Sequence, residues 1–305
     1  MSKIKQITSK IKHVYEKDYK ILLVIPFILL LLAFIQIGVQ YGTTGDFVNK
    51  GISLKGGSTI TFDKIDGIDP SVLEESIQSK FTRAQVSVRT LNSAGRVVAI
   101  SVDSDAQETD EIDILTNLVA SETGLLTSDL SVEIIGSSLG ESFFRQTAIA
   151  LVFAFLLMGI VVFFYFKSSG PSFAVILAAF SDIVVSLAIF NLTGIKLSTA
   201  GIAAFLMLIG YSVDTDILLS TRMLKRKEMS VMNRVYSAMK TGLTMTFTTI
   251  SVVLVAFIFV QSDVISQIMI ILLIGLGVDL IMTWIQNVGI LRLYLEKGKY
   301  KKSKD

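Results

Sequence analysis

Four aspartates stand in stretches that are otherwise apolar enough to lie in lipid. Asp214 and Asp216 fall in "GYSVDTDILLSTR", Asp182 in "AAFSDIVVS" and Asp279 in "GLGVDLIM". A carboxylate at the middle of a membrane helix costs roughly 3 kcal/mol on insertion scales, so such groups face a bundle interior or a wet cavity. No Lys or Arg lies in the core of these stretches. Away from water and without a cation, a carboxyl group favours its neutral form. Groups of that kind can load and release a proton, and so couple an ion gradient to movement. The plainer alternative is protonated or hydrogen-bonded carboxyls that hold helices together.

Spacing sorts the four. Asp214 and Asp216 are two residues apart, about 200° around a helix, so they cannot both face one cavity squarely. Asp214 shares a face with Gly210 and Tyr211, and Asp216 with Ser212 and Ser220. Asp214 lies eight residues before Arg222, about 12 Å along the axis, and Asp216 is about 9 Å away. The spacing alone does not choose between the two; we expect Asp214 to be the working group, at an interface between this bundle and a homologous one, where its protonation would bias two packings. A run of hydroxyls (Thr241, Thr244, Thr246, Thr248, Thr249 and Ser251) could bond within its own helix or beside the carboxyls. Gly275 and Gly277 permit close helix approach near Asp279, and Lys240 marks a membrane edge.

Other chemistry is excluded by composition. The chain has no cysteine and one histidine, His13. Thiol catalysis, thiolate metal sites and multi-histidine metal sites are therefore impossible, and no cofactor is implied. The "LKGGST" element precedes a strand and lacks the spacing of a phosphate loop. We expect no enzymatic activity.

The aspartates need helices to carry them. The chain is 51% hydrophobic, with a mean hydropathy of +0.64. About 20 apolar residues cross a bilayer. Six stretches qualify: 21–40, 148–166, 171–194, 197–220, 241–261 and 264–286. The first is too long in its apolar core for a signal peptide and lacks a small-residue cleavage site. Basic residues crowd the segments 1–20, 222–240 and 287–305, with six in each. Those segments share one side if the spans alternate, and the positive-inside rule makes that side cytoplasmic. Segment 41–145 carries eight basic against 16 acidic residues and is expected on the outer side. The basic stretches at 1–20 (Ile4, Ile7, Ile11, Val14 on one face) and 231–240 (Val231, Val235, Met239) read as interfacial helices on anionic lipid. Their place at membrane borders argues against nucleic acid.

Within 41–145 the apolar period alternates between two and 3.6. "STITF" reads as a strand. Asp69 and Pro70 cap a helix whose face is Val72, Leu73, Ile77 and Phe81. "AQVSVRTL" and "RVVAISV" flank the turn "NSAG". A second helix presents Ile112, Leu115, Leu118 and Val119 and stops at Gly124, and "LSVEIIG" is the last strand. The order βαββαβ predicts a ferredoxin-like α+β domain. The fold class is thus a multi-pass α-helical membrane protein, with six transmembrane helices and this domain between the first two.

Three segments resemble one family. "IGYSVDTDILLSTRMLKR", "GISLKGGSTITF" and "IIGSSLGESF" are similar to signatures of the archaeal SecF type in the SecD/SecF group, within the resistance-nodulation-division superfamily. The resemblance implies an auxiliary subunit of the Sec translocon channel. Such a subunit pairs with a SecD-type chain and assists unfolded exported polypeptides, in bacteria with the proton gradient. It also implies a coupling carboxylate in the fourth helix. Asp214 matches the position used in SecD relatives, bacterial SecF relatives place the acid at the position of Thr215, and Asp216 matches neither. Relatives often carry an acid at the position of Ser53, and bacterial ones an arginine early in the fifth helix, where Lys240 is the nearest base here. Two rivals stand beside this reading: a half-size efflux transporter for small molecules or lipids, and a passive assembly scaffold.

Overall fold

A computed structural model describes residues 12–65, 67–93, 96–225, 229–260 and 263–302. Among the described residues six helices are long and apolar enough to cross a membrane: α1 (Tyr19–Thr44), α4 (Ser137–Phe166), α5 (Ser169–Leu192), α6 (Thr199–Lys225), α7 (Val231–Phe259) and α8 (Val264–Glu296). Between α1 and α4 lie β1 (Gly57–Asp63), α2 (Pro70–Lys80), β2 (Val86–Ser93), β3 (Arg96–Ser104), α3 (Thr109–Thr123) and β4 (Ser131–Ile135).

The four strands form one antiparallel sheet in the order β2-β3-β1-β4. With α2 and α3 as the two crossovers this is the ferredoxin-like topology. Alternation sends Ile60, Phe62, Ile100 and Val102 to one face, where they bury against Leu73 and Ile77 of α2 and Leu115 and Val119 of α3. Asp69 caps α2 by accepting a hydrogen bond from the Ser71 amide at 2.9 Å, and Pro70 occupies the first turn, where its missing N–H costs nothing. Gly124 ends α3 with φ +73°, the left-handed conformation a side chain would resist.

The domain is joined to the bundle by backbone packing. A single helical turn, Ile52–Lys55, lies against the start of α4. A Cβ added to Gly140 would come within 2.6 Å of the Gly56 nitrogen, so only glycine allows this approach. The Leu197 amide donates to the Asn49 carbonyl at 2.6 Å and the Gly51 amide to the Leu197 carbonyl at 2.8 Å. These bonds tie the linker after α1 to the loop between α5 and α6.

In the bundle, α5, α6 and α8 form the buried centre. On α1, α4 and α7 large apolar side chains stay exposed, among them Leu31, Phe153, Phe164 and Phe247. Such a surface suits lipid tails or another helix bundle.

Three sequence-based boundaries shift. Helix α4 starts at Ser137, with only Gly136 between it and the end of β4, and its first turns, which include Gly140, pack against the Ile52–Lys55 turn before the apolar span begins. Helix α8 does not stop at Gln286. It passes through a π-helical segment, Met282–Asn287, and continues into the basic tail. The stretch expected to lie on lipid at 231–240 is the first part of α7, and Val235 is fully buried beside Met223 and Trp284. Protein packing takes the apolar face that anionic lipid was expected to cover. Of the N-terminal stretch, Ile4, Ile7 and Ile11 lie outside the described residues, and 12–17 are helical.

Glu122 links the two domain helices. It accepts from the Ser76 hydroxyl at 2.7 Å and from Lys80 Nζ at 2.5 Å. These bonds, the Lys80 one first, hold its carboxyl below the usual glutamate range. A depressed folded-state pKa stabilises the fold above the unfolded pKa and is lost as pH falls through the folded value. Amide exchange across α3 in the full chain should be modestly faster in Glu122→Gln than in the wild type at neutral pH. The two should converge once pH is well below the carboxylate range.

Candidate functional site

Three of the four aspartates meet. Asp182 on α5, Asp216 on α6 and Asp279 on α8 are at most 1% exposed and interact electrostatically with one another. They meet because α5, α6 and α8 pack closely. Gly275 of α8 lies against Leu208 of α6, where an added Cβ would fall 2.4 Å from the leucine methyls.

Every hydrogen-bond partner of the trio is neutral. The Ser212 hydroxyl donates to Oδ2 of Asp182. Nδ2 of Asn287 donates to Oδ1 of Asp216 at 2.7 Å. Thr283 Oγ1 lies 2.9 Å from Oδ1 of Asp216 and 2.9 Å from Oδ1 of Asp279. A threonine hydroxyl has one proton to donate, whereas an ionised carboxylate only accepts. One proton can serve both contacts only as a weaker three-centre bond, so the pair is best satisfied when one of the two carboxyls carries a proton and donates it to Thr283. The geometry is built for at least one proton in the cluster. Oδ1 of Asp182 and Oδ2 of Asp216 are buried without a protein partner. Such acceptors are costly, and they mark a site that can change its packing or protonation.

A second polar layer backs the trio. Nε2 of Gln286 donates to Ser181 Oγ at 3.1 Å, and Ser181 in turn donates to the Leu177 carbonyl at 2.8 Å. Thr283, Gln286 and Asn287 all belong to the π segment. Thr283 stands four residues after Asp279, on its face in an ordinary helix, and the wider π turn aligns Asn287 more closely with that face.

Asp214 goes the other way. It is exposed and lines a groove with Tyr165, Ile217, Leu218, Thr221, Arg222 and Met245. Tyr211 is 45% exposed on the same helix, while Ser212 is buried. The choice that spacing left open between the two aspartates falls to Asp216 for the interior and to Asp214 for the surface. Arg222 bonds the Ser237 carbonyl of α7 and does not touch the trio. Thr248 and Thr249 donate to the carbonyls of Thr244 and Met245 in their own helix, and Lys240 is exposed. Of the supporting candidates, Ser212 reaches the carboxyl cluster through Asp182, whereas Tyr211, Arg222, Lys240, Thr248 and Thr249 do not.

Sequence reasoning missed Thr283, Gln286, Asn287 and Ser181. One signal was present, since Thr283 and Asn287 follow Asp279 at four and eight residues, a helical face. Asn287 lies one residue past the expected end of the sixth span, while Thr283 and Gln286 lie inside it and, being uncharged, do not stand out from its other residues. Among the described residues no group of three or more acidic, histidine or cysteine side chains has the geometry to hold a metal ion.

Removing the hydroxyl that bridges two carboxyls leaves buried groups unpaired, which costs about 1–3 kcal/mol. Thr283→Val should lower the heat stability of the detergent-solubilised protein accordingly, read as the monodisperse fraction surviving a temperature series. Asp214→Asn, at the surface, should stay within about 0.5 kcal/mol of the wild type.

Residues 116–297 match the family model described as protein export membrane protein SecD/SecF, C-terminal. The protein-export membrane protein SecF of Pyrococcus furiosus is 40% identical over 97% of this chain and 97% of its own length. The SecF of Methanocaldococcus jannaschii is 39% identical over 94% of this chain and 99% of its own. Among solved structures, that of SecDF, a translocon-associated membrane protein from Thermus thermophilus, superposes with a TM-score of 0.70 at 20% identity. It covers 92% of this chain, and this chain spans 38% of that one. A membrane bundle with a ferredoxin-like insert and end-to-end likeness to archaeal relatives leads to one conclusion: the chain belongs to the SecF type of the SecD/SecF family of protein-export membrane proteins.

Proposed function

We propose that this protein is a non-enzymatic subunit of the protein-export machinery, acting with a SecD-type partner beside the translocon channel. The distribution of basic residues supports cytoplasmic termini and an outer position for the ferredoxin-like domain, where it would meet the emerging unfolded polypeptide. The remaining cytoplasmic charge, from 1–20 and the end of α8, contacts anionic lipid. The observation that carries a coupling role is the buried trio Asp182, Asp216 and Asp279, whose hydrogen-bond partners are all neutral.

The mechanism follows from charge. Adding or removing one proton changes the buried charge by a whole unit. In a low-dielectric interior that biases α5, α6 and α8 between two packings. The backbone ties between the α5–α6 loop and the 49–51 linker carry that change toward the exported domain. Asp214 takes a separate part. An exposed carboxylate on an apolar helix surface is costly in lipid, and the groove it shares with Arg222 is suited to a polar group of a paired bundle.

The test is export in membranes carrying the partner chain. Asp216→Asn should reduce export to the level seen with the gradient collapsed, with insertion unchanged. Asp214→Asn should keep its gradient response but recover less SecD-type chain on co-purification. Wild-type gradient stimulation in Asp216→Asn would leave the scaffold reading in place. Transport of small molecules by the purified chain alone in vesicles would favour the half-transporter.

A further inference from the structure

The polar side chains that satisfy the trio depend on the π segment, and something outside the bundle core holds that segment. The Tyr15 hydroxyl, from the helical stretch 12–17, donates to the Trp284 carbonyl at 2.8 Å. Trp284 lies in the middle of Met282–Asn287, next to Thr283. Burial, the larger effect, raises the Tyr15 hydroxyl far above the ordinary phenol range, against a smaller opposing influence of Arg292. It therefore remains a donor throughout any physiological pH.

The stretch that carries Tyr15 is itself clamped. Arg292 of α8, 8% exposed, donates from Nη1 to the Tyr15 carbonyl at 2.9 Å and from Nη2 to the Glu16 carbonyl at 2.8 Å. A planar fork across two carbonyls fixes direction as well as distance. The guanidinium also lies 3.7 Å from the centre of the Tyr19 ring. Tyr236 of α7 donates to Glu16 at 2.9 Å. On the other side of the segment Gly289 admits Leu23 of α1, and Gly242 of α7 admits the Trp284 ring, each at a distance that a Cβ would not tolerate. The π segment is thus gripped by the N-terminal stretch, α1 and α7 at once.

We propose that Tyr15 and Arg292 are positioning residues for the aspartate trio: together they latch the N-terminal stretch onto the π segment and hold the register that aims Thr283 and Asn287 at Asp216 and Asp279. A π turn is a less favourable state than a plain helical turn and persists where surrounding contacts maintain it. Without the latch the segment relaxes toward an ordinary helix. The inward face then turns, and the hydrogen bonds at Asp216 and Asp279 are lost or remade. A membrane-surface element thereby acts on carboxyl groups inside the bundle. The inference rests on the trio being the working site, but on no particular gradient or partner.

The chain supplies its own reporter, since Trp284 is the only tryptophan. The experiment uses the full chain in lipid nanodiscs, with Tyr15→Phe, Arg292→Lys and Tyr19→Phe compared. Tyr19→Phe breaks a 2.6 Å bond to Glu296 but keeps the ring that Arg292 faces and removes no bond to the π segment, so it controls for general loosening. Two signals are read: the Trp284 emission maximum, and the trio's carboxyl absorption, isolated as the infrared difference between each protein and its Asp216→Asn counterpart. Tyr15→Phe and Arg292→Lys should shift both, and Tyr19→Phe neither. An unchanged emission in Tyr15→Phe and Arg292→Lys would overturn the latch. So would an equal shift in Tyr19→Phe, or a moved emission with an unmoved carboxyl absorption. A trio that proves fully ionised would defeat the proton-coupling reading, yet its carboxylate band would still test the latch.

Discussion

Carboxyl groups are expensive in hydrocarbon, and the arrangement of this bundle follows from meeting that cost. Three aspartates share one interior site, where Ser212, Thr283 and Asn287 supply hydrogen bonds and α5, α6 and α8 exclude acyl tails. Close helix approach at Gly275 draws α8 onto α6. The π segment turns polar side chains inward at the depth where they are needed. The outer helices α1, α4 and α7 carry no comparable demand, and they present apolar side chains outward. The bundle thus has a specified centre and a permissive rim.

The ferredoxin-like domain and the bundle are built by different rules yet meet through close backbone contacts. The domain buries one face of its sheet under two amphipathic helices, a conventional core. Its last strand runs into α4 with one intervening residue, and its entry turn touches the same helix at Gly140. A change in how α5 and α6 pack therefore has a short route to the domain, through the bonds of Leu197 to Asn49 and Gly51.

Much of this was legible in the residues. Period-two and period-3.6 patterns located the strands and helices of the domain, and Asp69–Pro70 and Gly124 marked helix ends because capping chemistry is local. Apolar run length located the spans because the bilayer sets it. What was not legible depends on contacts distant in sequence. Nothing local distinguishes Asp214 from Asp216, since which face of α6 turns inward is decided by the neighbouring helices. The π segment has no compositional signature, and although Thr283 and Asn287 share a helical face with Asp279, nothing local shows that they also reach Asp216. The end of α8 looked like a basic tail because its packing partners, Tyr15 and Glu16, lie more than 270 positions away.

The central claim is that the buried trio holds at least one proton, because a single Thr283 hydroxyl bridges two carboxyl oxygens. Infrared spectroscopy of the protein in lipid at neutral pH, with hydrogen–deuterium exchange to identify acid carbonyl bands, addresses it most directly. The account predicts a carboxylic-acid band that is present in the wild type and in Asp214→Asn, and that is lost or displaced in Asp216→Asn and Asp279→Asn. A spectrum in which no protonated carboxyl is present, or in which the band vanishes with Asp214 alone, would contradict it.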